Sequence, residues 1–134
     1  MGATETDIGT DIVSVARIAA LVEARGAAFL DRWFTPLEVD YCTRMAEPSR
    51  HFAARMAAKE AVSKALPVSW EGPLPWRSIE IVNGPDGTPS VTLSGALRLA
   101  AEGAGVRSVK VSLSHCDEYA TAVALATRSD GGAS

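Results

Sequence analysis

Residues 57–65 read Ala-Ala-Lys-Glu-Ala-Val-Ser-Lys-Ala, and this stretch decides how the chain is organised. Alanine has the highest helix propensity of all residues, so the stretch predicts the centre of a long helix. Working outward, Ser49 is a suitable N-cap and Pro67 a suitable stop, which places the helix from Arg50 to Leu66. A helix this rich in small apolar residues is typical of a protein interior, so we expect it to be buried.

Glu60 and Lys64 stand one turn apart on the side of this helix that also carries Ala53 and Ala57. The simplest interpretation is an i,i+4 ion pair on a solvated face, which would contribute only about 0.3–0.5 kcal/mol. The second interpretation is functional, because the small alanines leave open space beside a carboxylate and an ammonium group. From the residues alone, both interpretations stand.

Asp11 lies within an apolar run, Ile8 to Val15, that predicts a strand. An aspartate inside an apolar strand is costly unless something pairs with it, although many such residues are strand-end caps or surface positions. If Asp11 and Glu60 converge, their hard oxygen ligands suit Mg²⁺, which takes one or two carboxylates and completes its shell with water and phosphate. Asp11 and Glu60 are therefore the candidate metal ligands.

His115 follows Ser112-Leu113-Ser114 at the end of a predicted strand, where loops often carry site residues. Taken alone, a histidine at such a place is more often structural or exposed, and His51, near a helix start, has no special signal. Residues 114–117, Ser-His-Cys-Asp, lack the spacing of a nucleophile elbow, which excludes a hydrolase triad there. The sequence also contains no Walker loop and no dinucleotide-binding fingerprint.

The remaining pattern predicts an α+β domain with an antiparallel sheet. A helix over Ala16–Arg25 ends at Gly26, and residues 35–38, Thr-Pro-Leu-Glu, form a capping box that begins another helix, to about Met45. A loop rich in Pro, Gly and Trp follows the long helix at Pro67–Trp76. The elements predicted after this loop are a hairpin (78–83 and 90–93), a helix (94–102) and two strands (108–114 and 120–127).

The composition is that of an ordinary globular protein of 134 residues, with 47% hydrophobic and 22% charged residues. A formal net charge of -3 gives no sign of a nucleic-acid-binding or membrane-binding protein. No stretch approaches the roughly 18 apolar residues of a membrane span, and residues 1–7 lack a signal-peptide pattern. Cys42 and Cys116 form no CxxC pair, so we expect reduced thiols in a cytoplasmic protein. We expect one domain over residues 1–128 and a flexible tail over residues 129–134.

Three stretches of this sequence resemble the holo-acyl-carrier-protein synthase family of 4'-phosphopantetheinyl transferases. They are residues 8–18 (IGTDIVSVARI), residues 34–38 (FTPLE) with 55–65 (RMAAKEAVSKA), and residues 111–120 (VSLSHCDEYA). The resemblance covers nearly the whole chain in order, and the Lys-Glu-Ala helix with an upstream aspartate is a specific part of it. Two features depart from the family: Thr10 stands where another glycine is frequent, and the Pro67–Trp76 loop replaces a glycine-rich turn expected near the nucleotide cleft.

The resemblance implies a fold, a reaction and a set of site residues. The fold is a helix-wrapped antiparallel sheet that assembles as a homotrimer, with coenzyme A in clefts between subunits. The reaction is Mg²⁺-dependent transfer of 4'-phosphopantetheine from coenzyme A to a serine of an apo acyl carrier protein, which could serve fatty-acid, polyketide or peptide synthesis. The implied residues are Asp11 and Glu60 for Mg²⁺, Glu60 and Lys64 for catalysis, Arg55, Ser63, Lys64 and His115 for coenzyme A, and Arg17 for carrier docking.

Physical chemistry agrees with these implied roles. Attack of a serine hydroxyl on the β-phosphate of coenzyme A builds negative charge that Mg²⁺ and a lysine can stabilise. A base must accept the serine proton, and either Glu60 or a metal-bound water would serve. Two alternatives stay open at this stage: a coenzyme A-binding or carrier-binding module without catalysis, and a structural domain in which Glu60 and Lys64 form a surface ion pair.

Overall fold

The computed structural model describes residues 4–129. In chain order its elements are β1 (Thr4–Ser14), α1 (Val15–Arg25), α2 (Ala27–Trp33), α3 (Pro36–Thr43), α4 (Pro48–Ala65), a short 3-10 helix (Trp76–Ser78), β2 (Ile79–Asn83), β3 (Pro89–Leu93), α5 (Gly95–Gly103), β4 (Val106–His115) and β5 (Tyr119–Ser129). Within these residues, no helix combines the length and the apolar character that crossing a membrane requires. Ser129, the first residue of the predicted tail, closes β5, and residues 130–134 lie outside the described part of the chain.

An antiparallel sheet of three strands, in the order β1-β5-β4, forms one layer of the fold. In this register Ala122 of the central strand lies between Asp11 of β1 and Leu113 of β4. β2 and β3 form a separate antiparallel hairpin instead of joining the sheet. The predicted α+β class with an antiparallel sheet is therefore confirmed, and the sheet that underlies the helices is the three-stranded one.

The inner face of the sheet is lined with small residues that let α4 lie very close to it. β5 contributes alanines at every second position, all at most 1% exposed, and α4 packs directly on β5 and β1; these alanines are Ala120, Ala122, Ala124 and Ala126. A Cβ atom added to Gly9 of β1 would lie 2.0 Å from the carbonyl oxygen of Ala61, so only glycine fits where strand and helix cross. Asp11 follows Gly9 by two residues on the same face of β1, which brings its carboxylate alongside the last turns of α4.

The outer face of the sheet carries large apolar side chains. Ile8 and Ile12 of β1 are 67% and 61% exposed, and Tyr119, Val123 and Leu125 of β5 are exposed beside them. Contiguous exposed apolar side chains on a soluble protein usually mark an interaction surface. We refer to these five residues as the outer apolar face.

Local sequence signals located α3 correctly and misplaced the start of α4. The Thr35 hydroxyl accepts the N–H of Glu38 while the Glu38 carboxylate accepts the N–H of Thr35, so the predicted capping box is confirmed. The prediction of Ser49 as the cap of α4 is wrong, because the helix begins at Pro48 with Glu47 in the N-cap position. Proline suits the first helical turn, where its missing N–H costs no hydrogen bond.

Two further helix boundaries differ from the predictions. Gly26 ends α1 with φ of 55°, as predicted, but a second helix, α2, starts immediately after it and was not predicted. Because Gly26 has no side chain to cap α2, this short helix depends on packing, through buried Phe29 and the ring of Trp33. α5 extends through Gly103 instead of ending at Glu102, and Ser94 stands at its N-cap without a side-chain hydrogen bond.

Glu38 also belongs to a buried ion pair that the sequence did not reveal. Its carboxylate lies 2.8 Å from the Lys59 ammonium, and both side chains are 0% exposed. Lys59 donates in addition to the carbonyl oxygens of Trp76 and Ile79, and Glu38 accepts from the N–H of Ile81. The pair therefore ties α3, α4 and the β2–β3 hairpin together with all three ammonium hydrogens engaged.

The Pro67–Trp76 loop is an ordered connection between α4 and the hairpin. Trp76 stacks on Trp33 of α2, with ring centroids 4.4 Å apart and planes 13° from parallel. Trp70 donates its indole N–H to the carbonyl oxygen of Pro73 at 3.3 Å. The loop thus closes over α2 through aromatic stacking.

Candidate active site

Asp11 of β1 and Lys64 of α4 form an ion pair near the C-terminal end of the helix. The Lys64 Nζ lies 3.1 Å from Asp11 Oδ1 and 3.0 Å from the carbonyl oxygen of Thr10, to which it also donates. Lys64 thus pairs with the strand instead of with Glu60, so the surface pair considered from the sequence does not form. Glu60 lies half-buried beside Asp11, and we refer to Asp11, Glu60 and Lys64 as the carboxylate site.

The two carboxylates of this site shift each other's pKa in opposite directions. Burial raises the pKa of Glu60, and the neighbouring Asp11 raises it further, to about 7. Burial also opposes ionisation of Asp11, but hydrogen bonds with Glu60 and Lys64 and the charge of Lys64 hold the pKa of Asp11 below its usual value. The pair therefore gains or loses a proton near neutral pH, as expected for two carboxylates that share one site.

One oxygen of the carboxylate site lacks a partner. Asp11 Oδ2 is buried and accepts no hydrogen bond from any described residue. An unpaired buried carboxylate oxygen is costly, and a cation would satisfy it. Within residues 4–129 no three His, Cys, Asp or Glu side chains gather into a metal-binding group, so the donor set here is two carboxylates. Two hard oxygen ligands fit Mg²⁺, which keeps waters and accepts substrate phosphates.

Ser63 and Arg17 stand at the border of the carboxylate site. Ser63 Oγ donates to the carbonyl oxygen of Glu60 at 2.7 Å, within α4 itself. Arg17 is exposed on α1, and its charge acts to lower the pKa of Glu60, which places it close to that carboxylate. Both residues predicted from the sequence therefore lie beside Glu60.

Arg17 also lines an open groove between α1 and α2. The groove is lined by three arginines, two large apolar side chains, an alanine and a tryptophan, and none of these residues is acidic. They are Arg17, Leu21, Arg25, Ala28, Phe29, Arg32 and Trp33. A surface that combines arginines with an aromatic ring favours an acidic, amphipathic partner. We refer to it as the basic groove.

Arg55 of α4 is only 3% exposed, yet no described carboxylate forms an ion pair with it. Its Nη2 donates to Asn83 Oδ1, its guanidinium lies 4.1 Å from the Tyr41 ring centroid, and its Nε has no hydrogen-bond partner among residues 4–129. Arginine is always charged, so a buried guanidinium without a counter-charge is expensive. This position therefore favours the binding of an anion.

Arg55 lines a cavity of about 400 Å³ between α3, α4, the hairpin turn and β4. His115 lines the same cavity from the end of β4, and His51 lines it from α4, with the two imidazole centroids 5.1 Å apart. Tyr41 contacts His51 edge to face at 6.0 Å. The described lining residues include no carboxylate, so we refer to this space as the cationic cavity.

The carboxylate site and the cationic cavity lie on opposite sides of α4. Asp11 belongs to one edge strand of the sheet and His115 to the other, and two strand spacings separate them by roughly 10 Å. On α4, His51 and Glu60 are nine residues apart, which is about two and a half turns and places them on opposite helix faces. Since α4 packs on the sheet between the two edges, the predicted site residues form two clusters in one chain.

Three cavity residues that contact Arg55 or His115 were not predicted. His51 precedes Arg55 by one helical turn, so the spacing could have suggested a shared face. Asn83 and Tyr41 come from other elements and carried no such signal. The Pro67–Trp76 loop, in contrast, was expected near the nucleotide cleft and contributes none of the described lining residues.

Comparison with known proteins gives one consistent result. The family model described as the 4'-phosphopantetheinyl transferase superfamily matches residues 7–124. A holo-[acyl-carrier-protein] synthase of Dehalococcoides mccartyi is 47% identical over 118 residues, covering 88% of this chain and 95% of that protein. The corresponding synthase of Koribacter versatilis is 40% identical over 114 residues, covering 85% and 91%. The crystal structure of Helicobacter pylori holo-[acyl-carrier-protein] synthase in complex with coenzyme A has a TM-score of 0.77 and 35% identity, covering 89% and 98%.

Proposed function

The chain belongs to the 4'-phosphopantetheinyl transferase superfamily, and from this premise we propose that it is a holo-[acyl-carrier-protein] synthase. It would transfer 4'-phosphopantetheine from coenzyme A to a serine of an apo carrier protein and release adenosine 3',5'-bisphosphate. The observation that carries the proposal is the convergence of Asp11, Glu60 and Lys64 from two elements far apart in the sequence. Relatives that are 40% to 47% identical over most of the chain are synthases of this kind.

Asp11 and Glu60 are the residues that would hold Mg²⁺. Their two carboxylates, and the unpartnered Oδ2 of Asp11, provide the hard oxygen ligands that this ion prefers. When bound, Mg²⁺ supplies charge neutralisation on the pyrophosphate oxygens of coenzyme A.

Lys64 and Glu60 would act on the reacting groups. A bond forms between the serine oxygen and the β-phosphorus, while the bond from that phosphorus to the bridging oxygen breaks, and the bridging oxygen leaves with the adenosine bisphosphate. Lys64, whose side chain is more than half exposed while its ammonium lies 3.1 Å from Asp11, would stabilise the charge on the departing oxygen. The serine proton would pass to Glu60, which lies half-buried in the site, or to a water held there.

The basic groove would receive the carrier protein. Arg17 both lines this groove and influences Glu60 electrostatically, so a carrier seated there presents its serine to the carboxylate site. Carrier recognition through a surface rich in arginine and free of carboxylates requires an acidic partner face. Fatty-acid and polyketide carrier proteins with such a face are the substrates we propose, within lipid metabolism in the cytoplasm.

The position of the two clusters supports a homotrimer with shared sites. The carboxylate site and the cationic cavity of one chain lie on opposite sides of α4, so a single coenzyme A molecule would have to pass around the helix to contact both. If two subunits meet, the cavity of one can adjoin the carboxylate site of the next, so that His115 and Arg55 approach the ligand across the interface. The outer apolar face provides the surface that such an assembly would bury.

Intact-mass analysis of an apo carrier protein tests the reaction directly. We expect incubation with this protein, coenzyme A and Mg²⁺ to add one phosphopantetheine, about 340 Da from its formula, and EDTA to prevent the addition. The Glu60→Ala variant is expected to lose transfer while it keeps its fold by circular dichroism. Transfer at the wild-type rate in EDTA or in a folded Glu60→Ala variant would contradict the metal-site assignment.

Carrier docking has its own test. Arg17→Glu is expected to raise the KM for the carrier protein about tenfold or more and the KM for coenzyme A much less, because it reverses a charge in the groove. Arg107→Glu, an exposed substitution of the same charge outside the groove, is the matched control. Equal changes in both KM values would refute a dedicated docking role for Arg17.

A further inference from the structure

Trp33 is the aromatic wall of the basic groove, and a residue from outside the groove covers one face of its ring. Trp33 lines the groove from α2, whereas Trp76, which is not among the described lining residues, stacks on the Trp33 ring with centroids 4.4 Å apart. Both side chains are partly buried. Trp76 lies where the loop after α4 enters the hairpin, so a remote element supports a residue of the groove.

The groove consists of two helix faces joined at one glycine. On each helix the lining side chains recur four residues apart, which places them on one face. They are Arg17, Leu21 and Arg25 of α1, and Ala28, Phe29, Arg32 and Trp33 of α2. Gly26 joins the two helices with φ of 55°, and no described atom lies within 4 Å of the position a Cβ would take. Glycine leaves the backbone free of side-chain restraint there, so the angle between the two faces depends on contacts further along α2.

α2 has little stability of its own. It contains seven residues, and its N-cap Gly26 supplies no side-chain hydrogen bond. Aromatic contacts hold it near both ends: buried Phe29 meets Phe34 edge to face at 6.3 Å, and Trp33, the last residue of the helix, stacks on Trp76. The tryptophan stack therefore fixes the end of α2 that lies furthest from the glycine.

Trp76 is itself anchored in the rigid part of the fold. Its carbonyl oxygen accepts a hydrogen bond from Lys59 Nζ at 3.1 Å, and Lys59 is fully buried in its ion pair with Glu38. The N–H of Ser78 donates to the carbonyl oxygen of Pro75 at 2.8 Å, which closes the 3-10 turn around Trp76. Trp33 thus rests on a ring whose backbone is tied to the core.

We propose that Trp76 is a positioning residue for carrier-protein binding: by stacking on Trp33, it holds the α2 side of the basic groove at the width that the carrier requires. The inference rests on the proposed function, since it takes a carrier protein as the occupant of the groove. The carrier surface that fits has an apolar side chain against the open part of the Trp33 ring and carboxylates that meet the arginines. Binding then has a charge component and a packing component, and Trp76 acts on the packing component.

Transfer kinetics of Trp76→Leu test the positioning role. The KM for the carrier protein should rise about fivefold or more, because the leucine removes the stacked ring and releases the end of α2. The KM for coenzyme A and kcat at saturating carrier should each change less than about twofold, since neither depends on the packing component. Trp76→Phe keeps an aromatic ring and should recover most of the carrier affinity.

Trp70→Leu is the matched control, because it removes the other tryptophan of the same loop. The indole N–H of Trp70 donates to Pro73 within the loop, and Trp70 is not among the described residues that line the groove. The KM for the carrier should therefore stay near the wild-type value. An increase equal to that of Trp76→Leu would overturn the proposal, because it would assign the effect to the loop as a whole.

Salt separates the packing component from the charge component. At about 0.5 M salt the effect of Arg17→Glu on the carrier KM should shrink, because screening weakens interactions between exposed charges. The ratio of carrier KM values between Trp76→Leu and the wild type should persist under the same conditions. A ratio that falls to one at high salt would contradict a role in packing.

Trp33→Leu provides a second variant in case Trp76→Leu does not fold. It should raise the carrier KM selectively, and adding Trp76→Leu should raise it little further, because both substitutions remove the same stack. Unchanged carrier KM in folded Trp33→Leu would overturn the proposal, and so would equal increases in the KM values for carrier and coenzyme A, which indicate a general structural role. Intact-mass analysis of the wild type separates the two levels of inference. Transfer with unaltered KM values in the variants refutes the positioning role alone, whereas no transfer by the wild type refutes the proposed function and this inference with it.

Discussion

Lys59 and Glu60 are neighbours on α4, yet their surroundings differ in nearly every physical respect. Lys59 forms a closed ion pair with Glu38, in which both side chains are fully buried and all three ammonium hydrogens are engaged. Glu60 lies half-buried next to another carboxylate, and Asp11 in the same site has an oxygen without a partner. The first arrangement is complete within the chain, and the second has two carboxylates for the single ammonium of Lys64.

The difference shows how one helix can serve stability and chemistry together. Residues on the Lys59 side hold α3, α4 and the hairpin in place, so the helix is rigid. Glu60 is fixed on the other side of the same rigid helix, where its carboxylate and that of Asp11 repel each other. A site of this kind lowers the stability of the fold, but its unbalanced charge lets it bind a cation and exchange a proton.

The largest expected effect is on stability, from Lys59→Met. The substitution keeps an unbranched side chain but leaves Glu38 buried without its counter-charge, so the free energy of unfolding should fall by about 3–5 kcal/mol. Urea denaturation at one fixed protein concentration measures it, because stability would depend on concentration if the chain assembles as proposed.

Lys64→Met on the same helix is the matched control. Lys64 is 56% exposed, so its loss should change the free energy of unfolding by less than about 1 kcal/mol. Adding Glu38→Gln to Lys59→Met should recover part of the loss, since glutamine removes the charge and keeps an acceptor oxygen for one of the two backbone N–H groups. Equal effects of the two lysine substitutions would contradict the contrast between the pairs.

A smaller effect is expected where β1 crosses α4. Gly9→Ala places a Cβ atom 2.0 Å from the Ala61 carbonyl, so strand and helix must separate, at a cost of about 1–3 kcal/mol in unfolding free energy. Transfer activity should fall as well, because Asp11 moves with the strand. Gly103→Ala, which meets no atom within 4 Å and lies in a helix, should be neutral or slightly stabilising. A neutral Gly9→Ala would show that the close approach is not required.

The smallest expected effect is an increase in melting temperature. Glu60→Gln removes the repulsion with Asp11, so the metal-free variant should melt about 3 °C higher than the wild type while transfer is lost. The pKa of Glu60 is raised to about 7, which means that its folded-state penalty is absent below its ordinary pKa and complete above pH 7. The gain should therefore be larger at pH 8 than at pH 5, and solvent screening keeps it modest.

Thermal melting in EDTA at the two pH values measures this gain. Glu23→Gln, an exposed substitution on α1 outside the carboxylate site, serves as a control for the removal of one carboxylate charge. A lower melting temperature for Glu60→Gln at pH 8 would mean that Glu60 stabilises the free protein, and the contrast with Lys59 would fail.

The sequence predicted those features whose signals are local. Asp11 became a candidate site residue because a charge inside an apolar strand needs an explanation, and Glu60 because it interrupts an alanine-rich helix; the structure places the two side by side. The capping box of Glu38 was predicted correctly, but it already accounted for that glutamate, so nothing pointed to Lys59, 21 positions away. Ion pairs between distant elements depend on tertiary packing that no local pattern encodes.

The separation of the carboxylate site from the cationic cavity could not be predicted from local sequence signals either. It follows from the strand order β1-β5-β4, in which the first and the next-to-last strand occupy opposite edges. His51 and His115 meet across 64 positions of sequence, and α2 is held by the stacking of Trp33 on Trp76. In each case the decisive partner is remote in the chain.

The stacking of Trp33 on Trp76 also gives the protein an optical property. Two parallel indoles 4.4 Å apart couple their electronic transitions, so the far-ultraviolet circular dichroism should contain a pair of bands of opposite sign. Trp33 borders the basic groove, and the backbone of Trp76 accepts a hydrogen bond from Lys59. The same bands would thus report on the seating of a carrier protein and on loosening of the core, without an attached label.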